Sequence, residues 1–440
     1  MNIWRNIANA LVVPEIRNRV FFVFGAFAVF VIMVYVQVPY VNITEWQSIL
    51  ASGQFLNFIG FLSGGALQHF SVIAMGITPY INASIIMQLM TIVFPNIKDM
   101  MQHGGEEGRR IVGLYTRWLT IALAIAQASA MVFMLSRAHV FERTDIFYLM
   151  MVVLTLTAGT IWLMWLGEQI TDKGIGNGVS LIIFVGIILR YPTYFSQTLQ
   201  LGEKGGLNVL GLVIFGLIAI LSLISIVFMY QGQRRVPVQY AKRVVGRKVY
   251  GGRSTYIPLR LNNAGVISII FAISILLLPQ QISSWMSQAS FVGTALAWAE
   301  GLRAWFVQFV NLYFTYGGVL YNVVYFVLVV VFTFFYSSVV LQIQDIGESL
   351  KKQGGFIPGI RPGKPTTDYL QKILLRITSV AAIYLGLLAI LPNVTQSLTH
   401  ITTFYLGSTS LLIVVGVALD TMTQIEARLA MRDYRGFIKQ

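Results

Sequence analysis

Residues 207–231 read LNVLGLVIFGLIAILSLISIVFMYQ, and residues 232–263 continue as GQRRVPVQYAKRVVGRKVYGGRSTYIPLRLNN. The first stretch holds no charged residue, and a helix needs about 20 mostly apolar residues to cross a bilayer. The second carries eight Lys and Arg residues and no acid. Lys and Arg accumulate in cytoplasmic loops, so a basic loop beside a span reports the side of the membrane it faces. With Tyr240, Tyr250 and Tyr256 interleaved, the same block has the makeup of a surface that docks an anionic partner.

The rest of the chain has the same character. It has 440 residues, 56% of them hydrophobic and 11% charged, with a mean hydropathy of +0.72. A soluble globular protein carries about 25% charged residues, so the composition is that of a polytopic membrane protein. Apolar runs predict spans near 20–41, 74–95, 113–136, 147–167, 179–198, 207–231, 265–285, 318–343, 373–392 and 405–424. An even number of spans places both termini on one side. Assigned alternately, the loops put 26 of the 31 Lys and Arg residues on that side and leave only Arg137, Arg143, Arg190, Lys204 and Arg303 on the other. The rich side is cytoplasmic by the positive-inside rule, and the net charge of +14 is mostly topological. That weighs against a nucleic-acid partner.

There is no cysteine, which excludes disulfides, thiolate nucleophiles and cysteine-bound metals. The four histidines, His69, His103, His139 and His400, are scattered and form no ligand spacing. Residues 1–19 read as an amphipathic interfacial segment rather than a signal peptide.

Five spans precede residue 200 and five follow. A five-span repeat has to be inverted, because five is odd. The expected architecture is therefore an all-α polytopic membrane protein of ten transmembrane helices in two inverted five-helix halves, 1–200 and 201–440. Residues 55–70, FLNFIGFLSGGALQHF, are apolar but too short to span. They form either a re-entrant or interfacial segment, or a small movable helix that fills a pore.

Ion-coupled transporters carry acids, bases or histidines inside the membrane. The predicted spans offer no central acid, which weakens a reading as a small-solute secondary transporter with a broken second helix. No HExxH pair, GxSxG elbow or intramembrane pair of acids marks an enzyme. Gly174-Ile175-Gly176-Asn177-Gly178 lacks the preceding strand, a third glycine at the right spacing and the ribose-binding acid of a dinucleotide site, and reads better as a turn leading into the span at Val179. A constriction of aliphatic side chains remains open, since such rings seal pores by dewetting.

Several motifs in order resemble the SecY family, the channel subunits of bacterial protein translocases. They are Ser63-Gly64-Gly65-Ala66-Leu67, Thr78 to Ile86 (TPYINASII), Gly104 to Arg110 (GGEEGRR), Trp165 to Thr171 (WLGEQIT) and the GIGNG turn. The basic block, Asn263 to Ile267 (NAGVI), Gly355 to Gly363 (GFIPGIRPG) and Leu411 to Val415 (LLIVV) complete the set. The resemblance covers essentially the whole chain. It implies an hourglass channel in the bacterial cytoplasmic membrane that passes unfolded preproteins outward and releases apolar segments sideways into lipid. Both termini are then cytoplasmic, and no cofactor is implied.

Carried over by motif, the pore ring is Ile77, Ile81, Val179, Ile183, Ile270 and Ile413. A short re-entrant plug near 58–71 includes Phe61, Leu62, Ser63, Gly64, Gly65, Ala66 and Leu67. Gln88, Gln127 and Ser268 fall in the lateral gate. Arg235, Arg247, Lys248 and Arg361 fall in the loops that meet the ribosome or the motor ATPase SecA. The implied partners also include SecE and SecG subunits, signal sequences and anionic lipids. ATP hydrolysis belongs to a partner.

The chain departs from the family pattern in places. Ser268 replaces a usual proline, and its loss predicts a straighter gate helix. Pro39-Tyr40 replaces Pro-Gly, the first span lacks the arginine often found there, and Leu341 to Gln344 replaces a stretch that usually holds Asn-Pro.

Overall fold

The computed structural model describes residues 13–52, 60, 63–102, 104–138, 140–203, 209–240, 243–245, 248–250, 254–288, 300–314, 318–341, 343–399 and 408–438. Two compact units emerge. The first comprises Met1–Gly206, Ser274–Tyr321 and Val417–Gln440, and the second Leu207–Ile273 and Asn322–Gly416. The expected cut near residue 200 lies close to the first boundary, but each unit draws on more than one stretch of chain.

Helices dominate. In chain order they begin with α1 (Pro14–Val34), α2 (Ile43–Ser52), α3 (Thr78–Val93), α4 (Pro95–Gln102), α5 (Gly105–Arg137), α6 (Ile146–Lys173) and α7 (Gly178–Glu203). After α8 (Val209–Gln231) come strands β1 (Gln233–Tyr240), β2 (Arg243–Val245), β3 (Lys248–Tyr250) and β4 (Ser254–Arg260). Then follow α9 (Ile267–Gln288), α10 (Glu300–Tyr313), α11 (Val319–Val340), α12 (Ile343–Lys352), β5 (Gly355–Phe356), α13 (Lys364–Thr399) and α14 (Ser408–Ile438).

Each predicted span coincides with one of these helices. Among the described residues, seven helices are long and apolar enough to cross a bilayer: α1, α5, α6, α8, α11, α13 and α14. The other three predicted spans correspond to α3, α7 and α9, and of these α3 is the short one at 16 residues. Local chemistry sets its start. Residues 72–77 are turns, Gly76 has φ +61°, and Pro79 stands in the first turn of α3, where its missing N–H costs nothing. α1 likewise stops at Val34 rather than 41, ahead of Pro39 and of Tyr40 at φ +61°.

Large apolar side chains lie exposed along these helices: Phe21, Phe24 and Ile32 on α1, Leu217, Ile224 and Phe228 on α8, and Val319, Val323 and Val327 on α11. A water-soluble monomer does not expose apolar stripes of this length, whereas lipid solvates them.

In the first unit, α5 packs on α3 and α6, while α6 packs on α7. Its core gathers Trp46, Leu67, Phe70, Ala74, Ala128, Val132, Phe141 and Leu156. In the second unit α8 packs along α13, and Ser337 and Thr378 share a 2.8 Å hydrogen bond between α11 and α13.

The all-α expectation requires one correction. The basic block folds as an antiparallel pair, β1 with β4, and β5 joins the free edge of β1 to give the order β4-β1-β5. β2 and β3 form a separate two-stranded ribbon. The alternation in Arg235-Val236-Pro237-Val238 drives the pairing. Val236, Val238 and Leu259 pack on Ile343, Leu350, Leu370 and Leu374, and Arg235, Pro237, Tyr256 and Pro258 stay exposed. A half-buried strand of this kind is too short and too charged to register in a search for spans.

Candidate functional site

One face of α7 organises the first unit. Val179, Ile183, Gly186 and Arg190 recur at steps of three and four residues, so they lie along one side of the helix. The Ser63-Gly64-Gly65 turn sits on that side. Gly64 has φ +67°, and a Cβ there would lie 2.6 Å from the Gly186 Cα. Gly65 has φ +90°, and its Cβ would lie 3.3 Å from the Arg190 Cδ. Both glycines therefore serve conformation and close approach together. Ser63 in turn lies beside Gly76, whose Cβ would come within 3.3 Å of the Ser63 Cα. Gly76 directly precedes Ile77. One turn thus touches both elements that carry Ile77, Ile81, Val179 and Ile183. Of these, Ile77, Ile81 and Ile183 are buried and Val179 is half-buried.

Residues 63–77 run as successive turns around a bridge at Ser71, and Gly60 is helical. The expected plug helix is not found from Ser63 onward, because positive φ at Gly64, Gly65, Phe70 and Gly76 interrupts any helical ladder. Phe61 and Leu62 lie outside the described residues.

The later part of this segment is firmly held. The Trp46 indole Nε1 donates to the Leu67 carbonyl at 2.7 Å, the Val38 amide to the Phe70 carbonyl at 3.0 Å, and the Val72 amide to the Val36 carbonyl at 2.9 Å. Phe70 meets Trp46 and Phe141 edge-on, with centroids at 5.4 and 5.9 Å. Gly159 of α6 presses against the Val72 carbonyl. His69, which is outside the spanning helices, has its pKa held below the usual imidazole value by burial and then by Arg190, so it is neutral at pH 7.

GIGNG forms the turn that starts α7. Asn177 accepts the Ser180 amide on its side-chain oxygen at 3.2 Å, as an N-cap does. The Gly178 amide donates to Thr171 Oγ1 at 2.9 Å, and the Gly176 amide, at φ +99°, to Gln424 Oε1 at 3.0 Å. Gly178 packs directly on the Gly167 carbonyl, so α6 and α7 meet backbone to backbone. All of its special residues have structural work, and none is left for a phosphate.

Ile270 and Ile413, also buried, belong to the second unit. So does buried Ser268, whose hydroxyl donates to the Gly265 carbonyl at 3.3 Å. Ser268 is the second residue of α9, where first-turn amides have no partner one turn back, so proline there removes no hydrogen bond. The straighter helix expected from its loss therefore does not follow. Pro279 lies in the interior of α9. In the first unit, Gln88 donates to Ser84 Oγ at 3.1 Å, and Gln127 is buried on α5.

The residues expected to dock a partner are only partly described. Arg235 lies exposed on β1 with its guanidinium 4.9 Å above the Tyr256 ring. Lys248 is placed as backbone of β3, and Arg247 lies outside the described residues. Arg361 is exposed between Gly359 at φ +83° and Gly363 at φ +104°, and its carbonyl accepts the Thr366 hydroxyl at 2.8 Å. Through the pairing of Gln239 with Phe356, β5 ties the loop of Arg361 to the strand of Arg235. Among the described residues no group of three His, Asp or Glu side chains could hold a metal.

Sequence reasoning missed Trp46, Gly186 and the local role of Arg190. Only Arg190 carried a signal, as a lone charge within a predicted span.

Residues 71–422 match the SecY family model. Across 99% of its length the chain is 41% identical to the protein translocase subunit SecY of Thermotoga maritima, covering 98% of that protein. It is 39% identical to the protein translocase subunit SecY of Mycobacterium tuberculosis, across 97% of both chains. Its fold is similar to that of a solved protein-conducting channel, with a TM-score of 0.63 at 16% identity over 93% of this chain and 92% of the other. Sec61 in the canine ribosome–channel complex from the endoplasmic reticulum gives a TM-score of 0.59 at the same identity and coverage. Sequence identity along nearly the full length, a family match over residues 71–422 and a shared fold lead to one conclusion: the chain belongs to the SecY family.

Proposed function

We propose that the chain is the channel-forming, non-enzymatic subunit of a bacterial protein translocase, passing unfolded preproteins across the cytoplasmic membrane and releasing apolar segments into lipid. The observation that carries this reading is the Ser63-Gly64-Gly65 turn seated on α7 directly beyond Val179 and Ile183. An aliphatic collar backed by a packed turn makes a two-layer barrier. The collar, Ile77, Ile81, Val179, Ile183, Ile270 and Ile413, adapts to any side chain yet sheds water when empty. The turn adds a removable seal, and both layers lack the coupling charges of a solute transporter.

In this reading ten spans form two inverted halves, 1–200 and 201–440, with both termini cytoplasmic. Gln88, Gln127 and Ser268 line the lateral exit. Arg235, Arg247, Lys248 and Arg361 face a ribosome or the SecA motor, which supplies the ATP hydrolysis, and SecE and SecG complete the assembly. The β1–β5 pairing supports a joint docking surface, because it links the two loops.

The chain has no cysteine, so single cysteines can be placed at will. During transport of a preprotein that carries one cysteine, variants Ile81→Cys, Ile183→Cys and Ile413→Cys should each crosslink to it. An active preparation that gives no crosslink at any collar position would overturn the assignment.

A further inference from the structure

Arg190 is the anomaly of the first unit. It is a charged residue within a membrane helix, only 4% exposed. Its Nη2 donates to the Tyr194 hydroxyl at 3.0 Å, and the guanidinium lies 5.1 Å from the centre of that ring. Nε and Nη1 have no hydrogen-bond acceptor, and no ion pair forms, among the described residues. A buried cation without a counter-charge is costly, and in membrane proteins such residues mark pathways. Its place is equally specific. Arg190 follows Ile183 by seven residues on the same side of α7, about 10 Å along the axis. What covers it is the Gly64-Gly65 turn, whose lack of side chains leaves room for the guanidinium.

We propose that Arg190 is the charge-selective element of the conduction path, capped by the plug turn at rest and presented to the carboxylates of the chain in transit once that turn leaves. The proposal rests on the channel reading above. A carboxylate that crosses an apolar collar loses its hydration, and a fixed cation just beyond lowers that barrier. The same cation raises the barrier for Lys and Arg. Because Nε and Nη1 have no acceptor among the described residues, they can meet the passing carboxylate without breaking a bond seen there.

The test uses the full translocase in liposomes, with Arg190→Gln and Arg190→Lys. Two preproteins differ only in a short mature segment, acidic in one and basic in the other. Arg190→Gln should lower the ratio of acidic to basic transport rates by about three- to tenfold, slowing the first and speeding the second. Arg190→Lys should keep the parental ratio. An unchanged ratio, or an equal loss for both substrates, overturns the proposal in favour of a packing role. In a KCl gradient, the reversal potential of a leaking Gly64→Ala channel should move toward cation selectivity when Arg190→Gln is added. If that potential moves while the preprotein ratio does not, the site serves small anions and the proposal fails. If the parent complex moves neither preprotein, it is the channel reading that fails.

Discussion

Replacing Gly64 with alanine tests the proposed seal at its tightest contact. The residue has φ +67°, which costs an L-amino acid about 1–2 kcal/mol. The new methyl would also lie 2.6 Å from the Gly186 Cα, a backbone atom that cannot swing away. Overpacking of that kind costs about 1–3 kcal/mol more. Together, about 2–5 kcal/mol is set against the seated turn, so its unseated population rises by about 30-fold at the low end. Gly65→Ala carries the same conformational cost, but its methyl meets a flexible side chain, the Arg190 Cδ at 3.3 Å, and should fall between parent and Gly64→Ala. Gly60→Ala is the control, because its nearest neighbours are Leu67 side-chain atoms at 3.8 Å, an ordinary contact. Ion leak through proteoliposomes reads the unseated population, and a melting curve in detergent checks that each variant is folded. The leak should rise in the order Gly60→Ala, Gly65→Ala, Gly64→Ala. A folded Gly64→Ala protein that leaks no more than the parent, or a Gly60→Ala protein that leaks as much, would refute the seating of this turn on α7.

Trp46→Phe keeps an aromatic ring but removes the 2.7 Å donor to the buried Leu67 carbonyl, which retains the Phe70 amide at 3.2 Å, so the loss should cost about 0.5–1.5 kcal/mol. The thermal midpoint in detergent should drop, and an unchanged midpoint would count against this anchor. At Gly355 a methyl would lie 3.1 Å from both Leu350 Cδ2 and Tyr240 Cε1. Gly355→Ala should therefore loosen β5 from β1 at a cost of about 1 kcal/mol or more, and limited proteolysis between residues 343 and 363 should quicken. An unaltered cleavage rate would show that the pairing does not hold the second loop.

Much of this molecule was legible in its sequence. Hydropathy found an apolar helix at each predicted stretch, because a run such as 207–231 needs only length and the absence of charge to enter lipid. The motifs point to Ile77, Ile81, Val179 and Ile183, which lie on elements that the Ser63–Gly65 turn touches, and the GIGNG turn leads into α7 as its sequence predicts. The misses have a common cause. The proline missing at Ser268 predicts a straighter helix by sequence alone, but its effect depends on standing in the first turn, and a helix start is decided by the neighbouring backbone. The strands of the basic block were hidden because their apolar face is completed by α12 and α13, more than 80 residues further along.

The sequence by itself determined the class of the protein. Composition and periodicity require several apolar helices in lipid, and the basic loops carry the expectation of their orientation. The tertiary structure alone decided what the glycines and the lone arginine meet. Gly64 and Gly65 look like any flexible pair until Gly186 and Arg190 are brought against them. Close approach and the desolvation of a charge depend on distance and burial between segments far apart in the chain, and local sequence carries neither.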